Sequence, residues 1–213
     1  LHSSSYMSNL LQHRPAGTGG ATSSTMLRFE DKPFSTGVVN LYGCTSVLVV
    51  STVGVWMAHF FENPSFVNGD QRFQEDVIHC LQDGEGQDKS PSVDPDGRPW
   101  HNTGIDSFLA ESNTWNDTNV FVVTPRDRAN PQTGVLMYPD QVHQIVKKLR
   151  TMMPETSFIP ILEYTPRGPD RLFDQFKLFG NSNGKVLLSY DPIFRVGRYQ
   201  NGRPFQRACA KLW

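Results

Sequence analysis

The chain has 213 residues, with 20 Lys+Arg against 21 Asp+Glu and a formal net charge of -1. That length suits one well-buried domain, and the balanced, scattered charge gives no field for phosphate backbones, so nucleic acid is not an expected partner. The longest apolar stretch, Val47 to Phe61, is broken by Ser51, Thr52, Gly54 and His59 and falls short of the ~20 residues a spanning helix needs, so no membrane partner is expected.

Residues 1–25 are rich in Ser, Gly and Thr with little periodicity and read as a flexible N-terminal arm, leaving 26–213 as a single catalytic-type domain. "MLRFEDKPF" and "GVVNLYG" look extended, and a hairpin with arms at 43–50 and 53–60 follows. Phe73, Val77, Ile78 and Leu81 then recur at helical spacing, and Gly84 ends that helix. The stretch from Gly84 to Asn119 is dense in Gly, Pro, Asp and Ser and is longer than ordinary connections, which predicts a functional or disordered loop with one helical turn at residues 105–109.

"NVFVVTPRD" reads as a buried strand ended by Pro125. A second helix starts at Pro139 and carries Val142, Ile145, Val146 and Leu149 on its inner face. "SFIPILEY" and "GKVLLSYD" supply two more strands on either side of the amphipathic "DRLFDQFKLFG", and the tail is expected to fold back at Asn201-Gly202. This order predicts α+β: a mostly antiparallel sheet or β-sandwich core with two or more flanking helices.

The hairpin carries the chemistry. Cys44 stands at its mouth and His59 on its returning arm. Side chains alternate along a strand, so an even turn puts the two on one face. A turn centred on Ser51-Thr52 sets Cys44 opposite His59. Moved one residue later, it pairs His59 with Ser46, one diagonal step from Cys44. Ser46, Leu48, Val50, Val55, Met57 and Phe61 share that face, and Val47, Val49, Trp56, Ala58 and Phe60 take the other. Both faces are apolar, so the hairpin is expected to be buried on each side. An imidazolium facing the thiol would lower its pKa into the nucleophilic range. Backbone N–H groups of Cys44 and Thr45 are the candidate oxyanion donors where Gly43 lets the chain turn closely. The competing reading makes Cys44 and His59 ordinary core residues.

"GCT" at 43–45, the strand "SVLVV" that follows, and the spacing from Cys44 to His59 resemble the catalytic core of cysteine-dependent glutamine deamidases of the cytotoxic necrotizing factor type, related to the chemotaxis deamidase CheD. The resemblance spans the hairpin alone; the remainder is similar only loosely to secreted proteins of filamentous fungi. It implies a cysteine hydrolase in which Cys44 attacks a glutamine carboxamide and His59 is base and then acid, with glutamate and ammonia as products. It also implies a protein substrate bearing an exposed Gln, no cofactor, and a secreted toxin or effector. An amine in place of water would make the reaction transglutaminase-like. Such families orient the histidine from the segment before the cysteine, and parity nominates Val38, through its carbonyl, or Asn40. Loops 62–70 and 84–119 would form the substrate rim, with Asn63, Trp100 and His101 upon it.

His79-Cys80 lacks the partners of a zinc site, so no metal is expected. Cys80 and Cys209 read either as a disulfide in an oxidising compartment or as core residues. Glu75, Asp76 and Asp83 read as the wet face of their helix. Asn116-Asp117-Thr118 is a glycosylation acceptor pattern, which fits an extracellular chain. The start at Leu1, with no basic and apolar leader, leads to the expectation that any signal peptide or upstream domain has been removed or lies outside the sequence. Two further readings stand beside the hydrolase: a non-catalytic secreted binding module, and a peptidase-like acyl transferase. The papain arrangement is disfavoured, because its cysteine sits at a helix N-terminus far from the histidine in sequence. Nothing in the sequence sets the oligomeric state.

Overall fold

A computed structural model of the chain describes residues 10–11, 22–84, 92–93, 99–100, 102–111, 118–166, 184–200 and 203–212. Its strands are β1 Leu10–Leu11, β2 Thr22–Arg28, β3 Phe34–Val38, β4 Thr45–Val50, β5 Gly54–Phe60, β6 Ser92–Val93, β7 Pro99–Trp100, β8 Asn119–Pro125, β9 Ile161–Tyr164, β10 Val186–Gln200 and β11 Arg203–Leu212. The helices are α1 at residues 70–83, wound as a π-helix over Gln74–His79, α2 Ile105–Glu111 and α3 Pro139–Met152. The architecture is α+β and mostly antiparallel.

The central sheet runs β2-β5-β4-β8-β9 and the second sheet β1-β3-β10-β11. Alternation gives the β4–β5 hairpin two apolar faces, and each meets a different layer. Val47, Val49, Trp56, Ala58 and Phe60 pack with Phe73, Val77 and Leu81 of α1, Phe108 of α2, and Val142, Ile145 and Leu149 of α3. Cys44, Leu48, Val55, Met57 and Phe61 pack with Val38, Val186 and Leu188 of the second sheet. The result is three layers: sheet, sheet, helices. At ~25 cal/mol per Å² of apolar surface removed from water, a strand buried on both faces is among the strongest organisers a domain of this size can have.

The helices follow their sequence signals. The four apolar residues expected on the first helix are buried, and Gly84 closes it in the left-handed conformation, φ 84°. Pro139 opens α3, whose Val142, Ile145 and Leu149 are buried with Val146 partly so. Gln200 pairs with Arg203, and Asn201-Gly202, where the fold-back was expected, lie outside the described residues. The helical turn predicted at 105–109 extends to Glu111.

Three expectations change. The fold reaches into the segment read as an arm: Thr22 to Arg28 pair residue for residue with Phe60 to Gly54, and Leu10–Leu11 pair with β3. Hydroxyl residues hid the strand, because Thr22, Ser23 and Ser24 are buried yet polar. Two of them are satisfied by backbone, Thr22 Oγ1 donating to the Asp76 carbonyl (2.6 Å) and Ser24 Oγ to that of Thr103 (2.8 Å). The segment Asn102-Thr103 straps β2 from its other side: the Asn102 side chain accepts from the Ser24 N–H (2.8 Å) and donates to the Thr22 carbonyl (3.2 Å). Asp76 is buried rather than wet, its carboxylate paired with Arg72 and accepting from Ser65 Oγ (3.2 Å). Finally, Cys80 and Cys209 are free thiols. Cys80 lies in α1 in the helical layer and Cys209 on β11 of the second sheet, with the central sheet between them. Residues 116–117 of the glycosylation pattern and the amphipathic stretch 170–180 lie outside the described residues.

Candidate active site

The hairpin turn occupies residues 51–54, closed by the Ser51 N–H donating to the Gly54 carbonyl (3.0 Å). The later of the two even turns is therefore the one formed. Ser46 pairs with His59, Val50 with Val55, and Cys44, just before β4, lies one diagonal step from His59 on the face between the sheets. His59 is fully buried, with Ser23 of β2 directly across from it on the other side. Its ring meets that of Phe61 edge-on at 4.9 Å. Ser46 is occupied, its Oγ donating to the Ala58 carbonyl (2.7 Å).

The thiol does not have the depressed pKa expected of an ion pair. Burial pushes it from near 9 up to about 11, and the negative charge of Glu62 adds to the rise; hydrogen bonds from the main chain at Glu62, Gly43 and Tyr42 work the other way. Cys44 is 6 % exposed, so desolvation dominates and the resting sulfur is a neutral thiol. The ionisable neighbour acting on it is Glu62, the residue that follows β5 and Phe61.

Glu62 is held from both sides above Gly43. The Tyr138 hydroxyl donates to its Oε1 (2.7 Å) and the Arg128 guanidinium to its Oε2 (2.9 Å). A Cβ on residue 43 would collide with that carboxylate and would stand 2.7 Å from the guanidinium. The glycine before the cysteine thus makes room for a charged neighbour. Tyr164 completes the surround by donating to the Cys44 carbonyl (2.7 Å), and burial raises its phenol well above the usual range. Tyr138 is raised as well, by burial and then by Glu62.

The remaining candidates divide. Val38 ends β3 inside the same inter-sheet core, and β3 packs across β5, the strand of His59. Asn40 breaks the parity that nominated it: at φ 66° it inverts the alternation, sending Leu41 into the core and leaving Tyr42 half-buried, and its carbonyl accepts from the Tyr42 N–H (3.0 Å). Thr45 points to the helical face, its hydroxyl paired with that of Thr124 (3.0 Å). The main-chain groups acting on the sulfur belong to Tyr42, Gly43 and Glu62, not to Thr45. Asn63 is exposed on the turn Glu62–Phe66, a place suited to a rim. Trp100 lies on β7, and His101 lies outside the described residues.

Sequence reasoning missed Glu62, Arg128, Tyr138, Tyr164 and Ser23. Glu62 had a local signal, being the first acidic residue after the apolar arm. The others come from β2, the loop after β8, the entrance to α3 and β9, which only the fold brings together. Among the described residues no group of His, Cys, Asp or Glu has the arrangement of a metal site, and no helix is long and apolar enough to cross a membrane. No known family profile matches the sequence, and no curated protein is similar enough to it to serve as a relative.

Proposed function

We propose that the chain is a cysteine hydrolase acting on protein glutamine side chains, a deamidase of the type that the Gly43-Cys44-Thr45 hairpin resembles. One observation carries the reading: Cys44 and His59 share the inter-sheet face one diagonal step apart, with main-chain hydrogen-bond donors grouped around the sulfur. Because the resting thiol is neutral, His59 acts as general base during attack rather than as a standing imidazolium partner. The Sγ proton passes to the imidazole as sulfur bonds to the carboxamide carbon. The tetrahedral adduct then breaks its C–N bond, and ammonia leaves with that proton. Water hydrolyses the thioester, giving glutamate and restoring the thiol. Val38, through its carbonyl, is the proposed orienting group for the imidazole. Substrate approaches from the Glu62–Arg128 side, where the two side chains are 21 % and 43 % exposed.

Ammonia release from a panel of Gln-bearing proteins tests the reading. Cys44→Ser and His59→Ala are each expected to reduce release by ~10²–10⁴-fold, the range for loss of a positioned proton-transfer or nucleophilic group. Release that persists in Cys44→Ser rules the reading out. The second reading is a non-catalytic interaction module, favoured by the burial of both residues. Under it, no panel member is deamidated, and both substitutions alter stability alone.

A further inference from the structure

We infer that Glu62 is a specificity-determining residue that accepts a hydrogen bond from the N–H₂ of a primary carboxamide brought to Cys44, and that Arg128 tunes it to a neutral amide instead of a cation. This rests on the reading above, in which the sulfur attacks a carboxamide.

A carboxylate has about four acceptor positions on its two oxygens. Tyr138 takes one on Oε1 and Arg128 one on Oε2, which leaves acceptor capacity on both. The two ties hold the carboxylate in one orientation, so its free lone pairs are pre-organised and do not have to be ordered when substrate arrives. It lies over Gly43, next to the cysteine in sequence, and close enough in space for its charge and its own N–H to act on the sulfur. It is also reachable, with 21 % of the side chain exposed where Cys44 itself is almost covered.

The guanidinium decides which ligand is preferred. An unpaired carboxylate beside a nucleophile favours an ammonium or guanidinium substrate. Here Arg128 donates to the same carboxylate, so the local charge is balanced and a neutral N–H₂ donor fits better than a second cation. A site built around a fixed acceptor also favours ligands that bring the donor, because an analogue lacking it forfeits that hydrogen bond.

Alkylation of Cys44 reads this without the natural substrate. The sulfur displaces iodide from a 2-iodoacetamide: the S–C bond forms, C–I breaks, iodide leaves and the thiol proton goes to solvent base. The full chain is treated with 2-iodoacetamide or its N,N-dimethyl analogue, and labelling at Cys44 is followed by peptide mass spectrometry, with the half-exposed Cys209 as internal reference. Both reagents are neutral and both need the thiolate, so their ratio cancels any change in thiol pKa. In the native protein the primary amide is expected to be preferred at Cys44 by about tenfold beyond the Cys209 ratio. Glu62→Gln is expected to remove most of that excess. Arg128→Gln, at an exposed position, is expected to raise labelling by the cationic 2-bromoethylamine relative to 2-iodoacetamide severalfold. An excess that survives Glu62→Gln overturns the inference, as does a Cys44 that reacts with neither amide while Cys209 is labelled. Ammonia release by the same native protein decides separately whether the underlying reading stands.

Discussion

The two faces of the β4–β5 hairpin are built differently. Toward the helices the core is mostly hydrocarbon: Val47, Val49, Trp56, Ala58 and Phe60 meet Phe73, Phe108, Ile145 and Leu149. Toward the second sheet the same strands present Cys44, Ser46 and His59 among Leu48, Met57 and Phe61, with Ser23 brought alongside by β2. Polar groups are costly to bury. On this hairpin Cys44, Ser46 and His59 fall on the inter-sheet face, while the helical face carries Thr45, paired with Thr124, at the edge of a largely hydrocarbon core. The helical side supplies most of the hydrocarbon core, and the inter-sheet side holds the two residues of the proposed dyad.

That division can be broken at chosen points. The largest effect is expected from Phe108→Ala, which empties a fully buried site in the helical layer and should cost about 3–5 kcal/mol. Urea unfolding gives the cost, and the pH profile of Cys44 alkylation should remain as in the parent chain; a displaced profile means that the layers are coupled.

Gly43→Ala should reverse the pattern. The added Cβ forces the Glu62 carboxylate aside at about 1–3 kcal/mol, the range for overpacking. Moving that negative charge away should shift the Cys44 profile to lower pH. Full stability with an unaltered profile would contradict the placement of Glu62.

The mildest test is alkaline titration of the two buried thiols. Both are raised by burial, Cys44 to about 11 and Cys80 to about 12. A raised thiol pKa contributes stability that is complete below the ordinary value near 9 and is lost as pH rises through the folded value, because the folded chain then retains a proton that the unfolded chain has released. Each thiol contributes a slope of at most about 1.4 kcal/mol per pH unit over its window. Cys80→Ala should flatten the alkaline fall in unfolding midpoint, and a slope identical to that of the parent would show that Cys80 ionises freely.

How much of this was legible follows from the range of the signals. Hairpin parity, the inner faces of α1 and α3 and the antiparallel pairing of β10 with β11 are local patterns, set by period and turn chemistry within a few residues. The identities of the two hairpin faces were readable for the same reason, down to Ser46 as the partner of His59 in one of two allowed registers. Asn40 defeated the parity argument because one left-handed residue, which asparagine tolerates, resets the alternation. β2 was hidden because Thr22, Ser23 and Ser24 are polar yet buried, and the partners that make Thr22 and Ser24 burial-compatible lie far along the chain. Glu62, Arg128 and Tyr138 converge only in three dimensions, and no spacing rule joins residues from a strand exit, a loop and a helix entrance.

The strap at Asn102-Thr103 does more than satisfy Ser24. β2 is the outermost strand of the central sheet, and a bare edge of N–H and C=O groups invites another chain to pair with it. One asparagine side chain imitates a neighbouring strand there, giving the Thr22 carbonyl a donor and the Ser24 N–H an acceptor. It ends the sheet without offering a backbone on which a further strand could grow, so the layer that holds the histidine has a built-in stop against self-association along that border.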